Sequence, residues 1–150
     1  MPTELWTIDS ITRLAGHPVL AVGNPRAAVV EGRRAVAFDG SHDGLIVPTN
    51  PLAGWNAFTL EALFCPTGGG NAEERFVHLQ VAGQPDRVLL ETRLNPQRNA
   101  WYADTFIGVG AAEWPLNDPA RLHPLGHWYT LALTCDGQTI KLTSHEYRLL

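Results

Sequence analysis

Residues 126–142 read GHWYTLALTCDGQTIKL. A strand-like run, WYTLALTC, ends at Asp136-Gly137, and a second run, TIKLT, follows after Gln138. A Gly beside an Asp between two such runs predicts a two-residue β-hairpin, because glycine accepts positive φ without steric cost. Working outward, the same design recurs along the chain. Strand-like runs are LWTI (5–8), VLAVG (19–23), AAVV (27–30), AVAF (35–38), GLIV (44–47), FTLEALFC (58–65), RFVHLQVA (75–82), RVLLETRL (87–94) and WYADTFIGV (101–109). Turn signals such as GNP, DGSHDG, TNPLAGWN, PTGGGN, GQPD and NPQRN separate them. With 14 Gly and 11 Pro spread throughout, no helix-length pattern of period 3.6 survives. Many short strands at this spacing predict an all-β sandwich or barrel. PLAGW (51–55) reads as a helical turn or a loop.

The totals narrow the class of partner. A chain of 150 residues suits one domain. Charged residues make up 17%, against roughly 25% in an average globular domain, and the formal net charge is -4. The 11 basic residues are scattered, so neither a nucleic-acid groove nor an anionic membrane surface is expected. No secretory signal and no spanning apolar run is visible, which points to a cytoplasmic location. Cys65 and Cys135 are too few for a disulfide framework and are expected to be thiols.

Three stretches in order, AVAFDGSHDGLIV, FTLEALFCP and GHWYTLALTCDGQTIKL, resemble the laminin-G-like domains of the concanavalin A-like lectin and glucanase superfamily. The resemblance implies an all-β jelly-roll sandwich of two antiparallel sheets, formed by residues 1–150 as a single domain. It also implies that strands beyond the CDGQ hairpin are missing, so that TIKLTSHEYRLL stands either as a truncated end or as a substitute closing strand with Leu149 and Leu150 covering the gap. A truncated sandwich would expose a sheet edge, and self-association through that edge is the expected consequence.

Candidate functional residues fall into two groups. In DGSHDG, Asp39 and Asp43 lie four apart between glycines. The resemblance suggests calcium at the rim of such domains, and these two carboxylates are the candidate metal ligands. Two carboxylates do not complete a calcium shell, and Asp side chains commonly cap turns, so the turn is the preferred reading. The second group lies in the strands. Glu91 and Arg93 are two apart, as are Tyr102 and Asp104, and side chains two apart share one strand face. If the strands are neighbours, Glu61, His78, Glu91, Arg93, Tyr102 and Asp104 form one polar face, with Val88 and Leu90 in the core. Trp101 and Trp114 are the candidates for stacking on sugar, while Trp6 and Trp128 are assigned to the core.

The bland alternative is a solvated outer sheet face laced with ion pairs of small individual value. With the resemblance counted, the leading function is a non-catalytic module that binds carbohydrate on the concave sheet face. The competing function is a carbohydrate-active enzyme, a glycoside hydrolase or a polysaccharide lyase, using the same face. Its carboxylates would be Glu61, Glu91 and Asp104. The ExDxxE stretch typical of the superfamily's glucanases is absent. His123 and His127 have a zinc-like spacing, but Pro124 and Gly126 argue for a loop there rather than a helix.

Overall fold

The computed structural model describes residues 3–147. Leu149 and Leu150, expected to cover a gap, lie outside the described residues. The described chain is all-β, with antiparallel pairing throughout and a single 3-10 turn at Pro96–Arg98. It divides into two compact units, residues 1–51 and 52–150.

The first unit is built from short ribbons. Strands β1 (Arg13–Leu14) and β2 (His17–Pro18) form one hairpin, with Leu14 opposite His17. Strand β3 (Leu20–Val22) precedes a second hairpin of β4 (Arg26–Val30) and β5 (Arg33–Ala37), where Val30 faces Arg33. Each hairpin turns on two residues of positive φ: Ala15 (47°) with Gly16 (81°), and Glu31 (51°) with Gly32 (76°). Two successive positive φ values match the right-handed twist of the flanking strands. Strand β6 (Gly44–Ile46) pairs with β3, not with β5. The DGSHDG stretch is therefore a corner between two ribbons rather than a hairpin turn. Residues 5–8, expected as a strand, form none, and Leu5 is 85% exposed.

The second unit holds two wider sheets. Its strands are β7 (Phe58–Phe64), β8 (Glu73–Gln80), β9 (Arg87–Asn95), β10 (Ala100–Val109), β11 (Ala112–Asn117), β12 (His123–Pro124), β13 (Tyr129–Cys135) and β14 (Ile140–Glu146). One sheet runs β11-β10-β9-β8, with β12 pairing on β10; the other runs β14-β13-β7. The β13–β14 hairpin predicted at CDGQ is present, with Cys135 facing Ile140. Its tip sits one residue later than expected. The Asp136 carboxylate accepts the backbone N–H of Gln138 at 2.9 Å and of Thr139 at 2.7 Å, leaving Gly137 (φ 89°) and Gln138 at the turn.

Leu90, Trp101 and Ala103 from the larger sheet pack with Tyr129, Leu131 and Leu133 from the smaller one, so the unit is a β-sandwich with its core between the sheets. Phe64 stacks on Phe76 at 4.3 Å between ring centroids and meets the Trp101 ring edge-on at 5.1 Å. The Tyr129 hydroxyl, carried into this core, donates to the Pro124 carbonyl at 2.7 Å, so its polar end is satisfied. Strand β11 was not among the expected strands, and Pro115 sits inside it. An edge strand tolerates proline where an inner one does not, since one side of an edge strand needs no ladder hydrogen bonds. Neither Cys65 nor Cys135 is in a disulfide.

Candidate functional site

Strands β9 and β10 set the two faces of the larger sheet. On β9, Val88, Leu90 and Leu94 pack into the core, so Glu91 and Arg93 point to the opposite, outer face. On β10, Trp101, Ala103 and Ile107 face the core, which puts Tyr102, Asp104 and Phe106 on that same outer face. Tyr102 lies directly opposite Arg93, and Phe106 opposite Leu89. On β8 the register breaks between Arg75 and Val77. The bulge spends one residue, so Phe76 and Val77 both join the core side while Glu73, Arg75, His78 and Gln80 stay outside.

These outer side chains form one connected ion-pair network. Arg75 Nε donates to Glu91 Oε2 at 3.0 Å, and Arg75 Nη2 lies 3.5 Å from Glu73 Oε1. Arg93 Nη2 lies 3.1 Å from Glu73 Oε2, and Arg93 Nε donates to Asp104 Oδ2. Glu73 thus bridges the two arginines, and each arginine holds a second carboxylate. Toward the other end of the sheet, Arg87 pairs with Glu113 at 2.6 Å and lies 4.9 Å from the Phe106 ring centroid.

The electrostatics are uneven across the face. Glu91 is only 2% exposed. Burial pushes its carboxyl above the usual range, the Glu73 carboxylate adds to the push, and the Arg75 guanidinium opposes it. His78 is driven the other way: partial burial, then the charges of Arg75 and Arg87, favour its neutral imidazole, against a hydrogen bond with Gln80. Arg93 is raised by its hydrogen bond to Asp104 and stays a fixed cation.

Five of the expected ligand residues, His78, Glu91, Arg93, Tyr102 and Asp104, therefore share one face. Two do not. Glu61 sits on β7, opposite Ala132, in the smaller sheet, and is exposed there. Trp101 has no exposed surface. Its ring packs edge-on to Tyr129 at 5.1 Å and stacks on His123 at 4.6 Å, so it anchors the core and cannot stack on a sugar. Trp114 remains 49% exposed on edge strand β11. The sequence reading missed Glu73 and Arg75, the two residues that join the network. Counting back from His78 in steps of two fails at the bulge, which no turn residue marks.

The corner carboxylates are committed elsewhere. Asp39 Oδ1 accepts the backbone N–H groups of Ser41, His42 and Asp43 at 2.7–2.9 Å, and its other oxygen meets His42 Nδ1 at 3.2 Å. Asp43 accepts from Asn24 N at 2.7 Å and from Asp39 N at 3.0 Å. The three amides hold the Asp39 carboxyl far below the ordinary aspartate range. This is turn-capping geometry, and a cation would have to displace it. Among the described residues no cluster of three or more His, Cys, Asp or Glu side chains is placed to hold a metal ion. His127 Nδ1 lies 3.9 Å from Glu146 Oε1, and residues 123–127 are not helical.

No protein family, no curated protein and no solved structure matches the chain.

Proposed function

We propose that the protein is a non-catalytic carbohydrate-binding module of the laminin-G-like jelly-roll type, and that glycan binds on the outer face of the β11-β10-β9-β8 sheet. The observation that supports this reading is the network Arg75–Glu73–Arg93–Asp104, anchored on buried Glu91. Sugar hydroxyls both donate and accept hydrogen bonds. Paired guanidinium and carboxylate groups offer both functions, already oriented by each other, which lowers the ordering cost of binding. Tyr102 and His78 add an amphipathic ring and a neutral imidazole beside them.

A glycan array probed with and without calcium tests the reading. Arg93→Gln and Arg75→Gln are each expected to weaken binding about tenfold or more, the scale of a lost hydrogen bond to a charged group. Glu61→Gln, on the other sheet, is expected to leave binding unchanged. Binding to no glycan, or loss only in the Glu61 variant, would refute the proposal.

One observation favours a second reading, a carbohydrate-active enzyme. Glu91 is buried with its carboxyl pushed toward the protonated form, and Asp104 is a second carboxylate on the same face. A carboxyl acting as acid, with a second carboxylate on the same face, is the kind of pair used to cleave glycosidic bonds. Release of reducing or unsaturated sugar from a bound glycan, lost in Glu91→Gln while binding persists, would select this reading. Binding without turnover selects the module.

A further inference from the structure

A second polar constellation lies away from the ion-pair face, at the open edge of the sandwich. A cavity of about 360 Å³ lies there between β14 of one sheet and β10 and β11 of the other. Ala103, Pro115, Leu116 and Leu142 form its apolar wall. Its floor is polar: Ser144, 6% exposed, bonds through Oγ to His123 Nε2 at 3.0 Å. Its rim carries the exposed side chains of Asn117, Asp118 and Arg121.

Arg121 is the cation of this rim. In the larger sheet, Arg75, Arg87 and Arg93 each hold at least one carboxylate. None of the ion pairs among the described residues uses Arg121, although Asp118 is only three residues away. Asp118 and Arg121 meet through their backbones, the Arg121 N–H donating to the Asp118 carbonyl at 3.1 Å. The Arg121 guanidinium spends one long hydrogen bond, 3.4 Å, on the Ser144 carbonyl, and that bond places it over the cavity. Among the described residues, no carboxylate pairs with the remaining guanidinium donors. His123, packed on Trp101, is held toward its neutral form by burial and by the Arg121 charge, against the pull of Asp118. In the neutral tautomer with the proton on Nε2, His123 donates to Ser144 Oγ, and the serine hydroxyl proton is then free for a ligand.

We propose that this cavity is a binding site for a small organic carboxylate with an apolar body. The carboxylate takes the Arg121 fork, in the bidentate geometry a guanidinium offers, and the Ser144 hydroxyl. The apolar body lies against Leu116 and Leu142. The volume is within the range of sites for small molecules.

The test uses the full chain and two matched pairs of probes, benzoate with benzamide and hexanoate with hexanamide, followed by amide NMR shifts. Saturable shifts are expected for a carboxylate at residues 117–123 and 142–145, at least tenfold weaker for its amide. Arg121→Gln should weaken carboxylate binding at least tenfold, Arg121→Lys less, and Ser144→Ala by a few-fold. Arg121 is exposed, so its two substitutions leave the core intact. Absence of saturable shifts with both carboxylates, equal binding of acid and amide, or binding that survives Arg121→Gln would overturn the proposal.

Discussion

The two units are stabilised by different means. Of the buried apolar side chains among the described residues, Leu14 and Val36 belong to the first unit; the second has Leu89, Leu90, Ala100, Trp101, Ala103, Trp128, Tyr129, Leu131 and Leu133. The second unit thus has a core in which large apolar groups are removed from water, the main favourable contribution to folding. The first unit has narrow ribbons and a corner in which the Asp39 and Asp43 carboxylates collect backbone N–H groups. A two-stranded ribbon is marginal alone, so local hydrogen bonds and backbone conformation take a larger share there. Substitutions should separate the two modes.

The largest expected effect is in the sandwich. Leu131→Ala removes a side chain with no exposed surface from the centre of the core. Such truncations cost about 2–5 kcal/mol, and denaturant unfolding of the variant should show it. A loss below about 1 kcal/mol would mean that the two sheets do not pack around Leu131.

A smaller effect is expected at the corner of the first unit. A Cβ at Gly23 would lie 2.5 Å from Asp43 Oδ1 and 2.8 Å from the His42 carbonyl oxygen, and its φ is +71°. Gly23→Ala is therefore expected to destabilise by about 1–2 kcal/mol from the backbone conformation, with the clash in addition. Asn24 and Gly44 amide exchange should speed up in that variant. An unchanged exchange pattern would show that the corner does not depend on the Asp43 cap.

The smallest effect is a pH dependence at the sandwich hairpin. Asp136 is lowered from the ordinary 3.8 to about 2 by the amides of Thr139 and Gln138. A depressed carboxyl pKa means that the unfolded chain binds the proton more readily. The contribution is present above 3.8 and is lost as pH falls toward about 2. The acid limb of the stability curve should flatten in Asp136→Asn. Glu91 works in the opposite direction: its raised pKa makes its contribution largest below the ordinary glutamate value of 4.5, and it is lost as pH climbs through the higher folded value. An acid limb equally steep in wild type and Asp136→Asn would remove the turn-cap account at this hairpin.

Periodicity made much of the second unit legible. In RVLLETRL, the two-residue alternation assigned Glu91 and Arg93 to one face and Val88 and Leu90 to the other, as the structure has them. The same rule, applied to WYADTFIGV, puts Trp101 opposite Tyr102. Choosing both as ligands of one face contradicted that alternation, and the fully buried Trp101 follows the alternation. Glu61 shows where the pattern ends. Alternation says which side chains share a strand face, but not which sheet the strand joins, and β7 pairs with β13 rather than with β8. The hairpins at Ala15-Gly16 and Glu31-Gly32 were hidden for a different reason: Ala and Glu are poor at positive φ, so their turns carry no Asn-Gly or Asp-Gly signal. The Arg75–Val77 bulge has no sequence mark, and with it Glu73 and Arg75 stayed out of view.

The central claim is that the ion-paired outer face of the larger sheet holds the ligand. Its most direct test is amide and side-chain NMR of the full chain titrated with the tightest glycan from the array. The account predicts saturable shifts at residues 73–78, 91–93 and 102–104, with the guanidinium signals of Arg75 and Arg93 among those that move. Shifts confined to β7, β13 and β14, with both guanidinium signals unmoved at saturation, would contradict it.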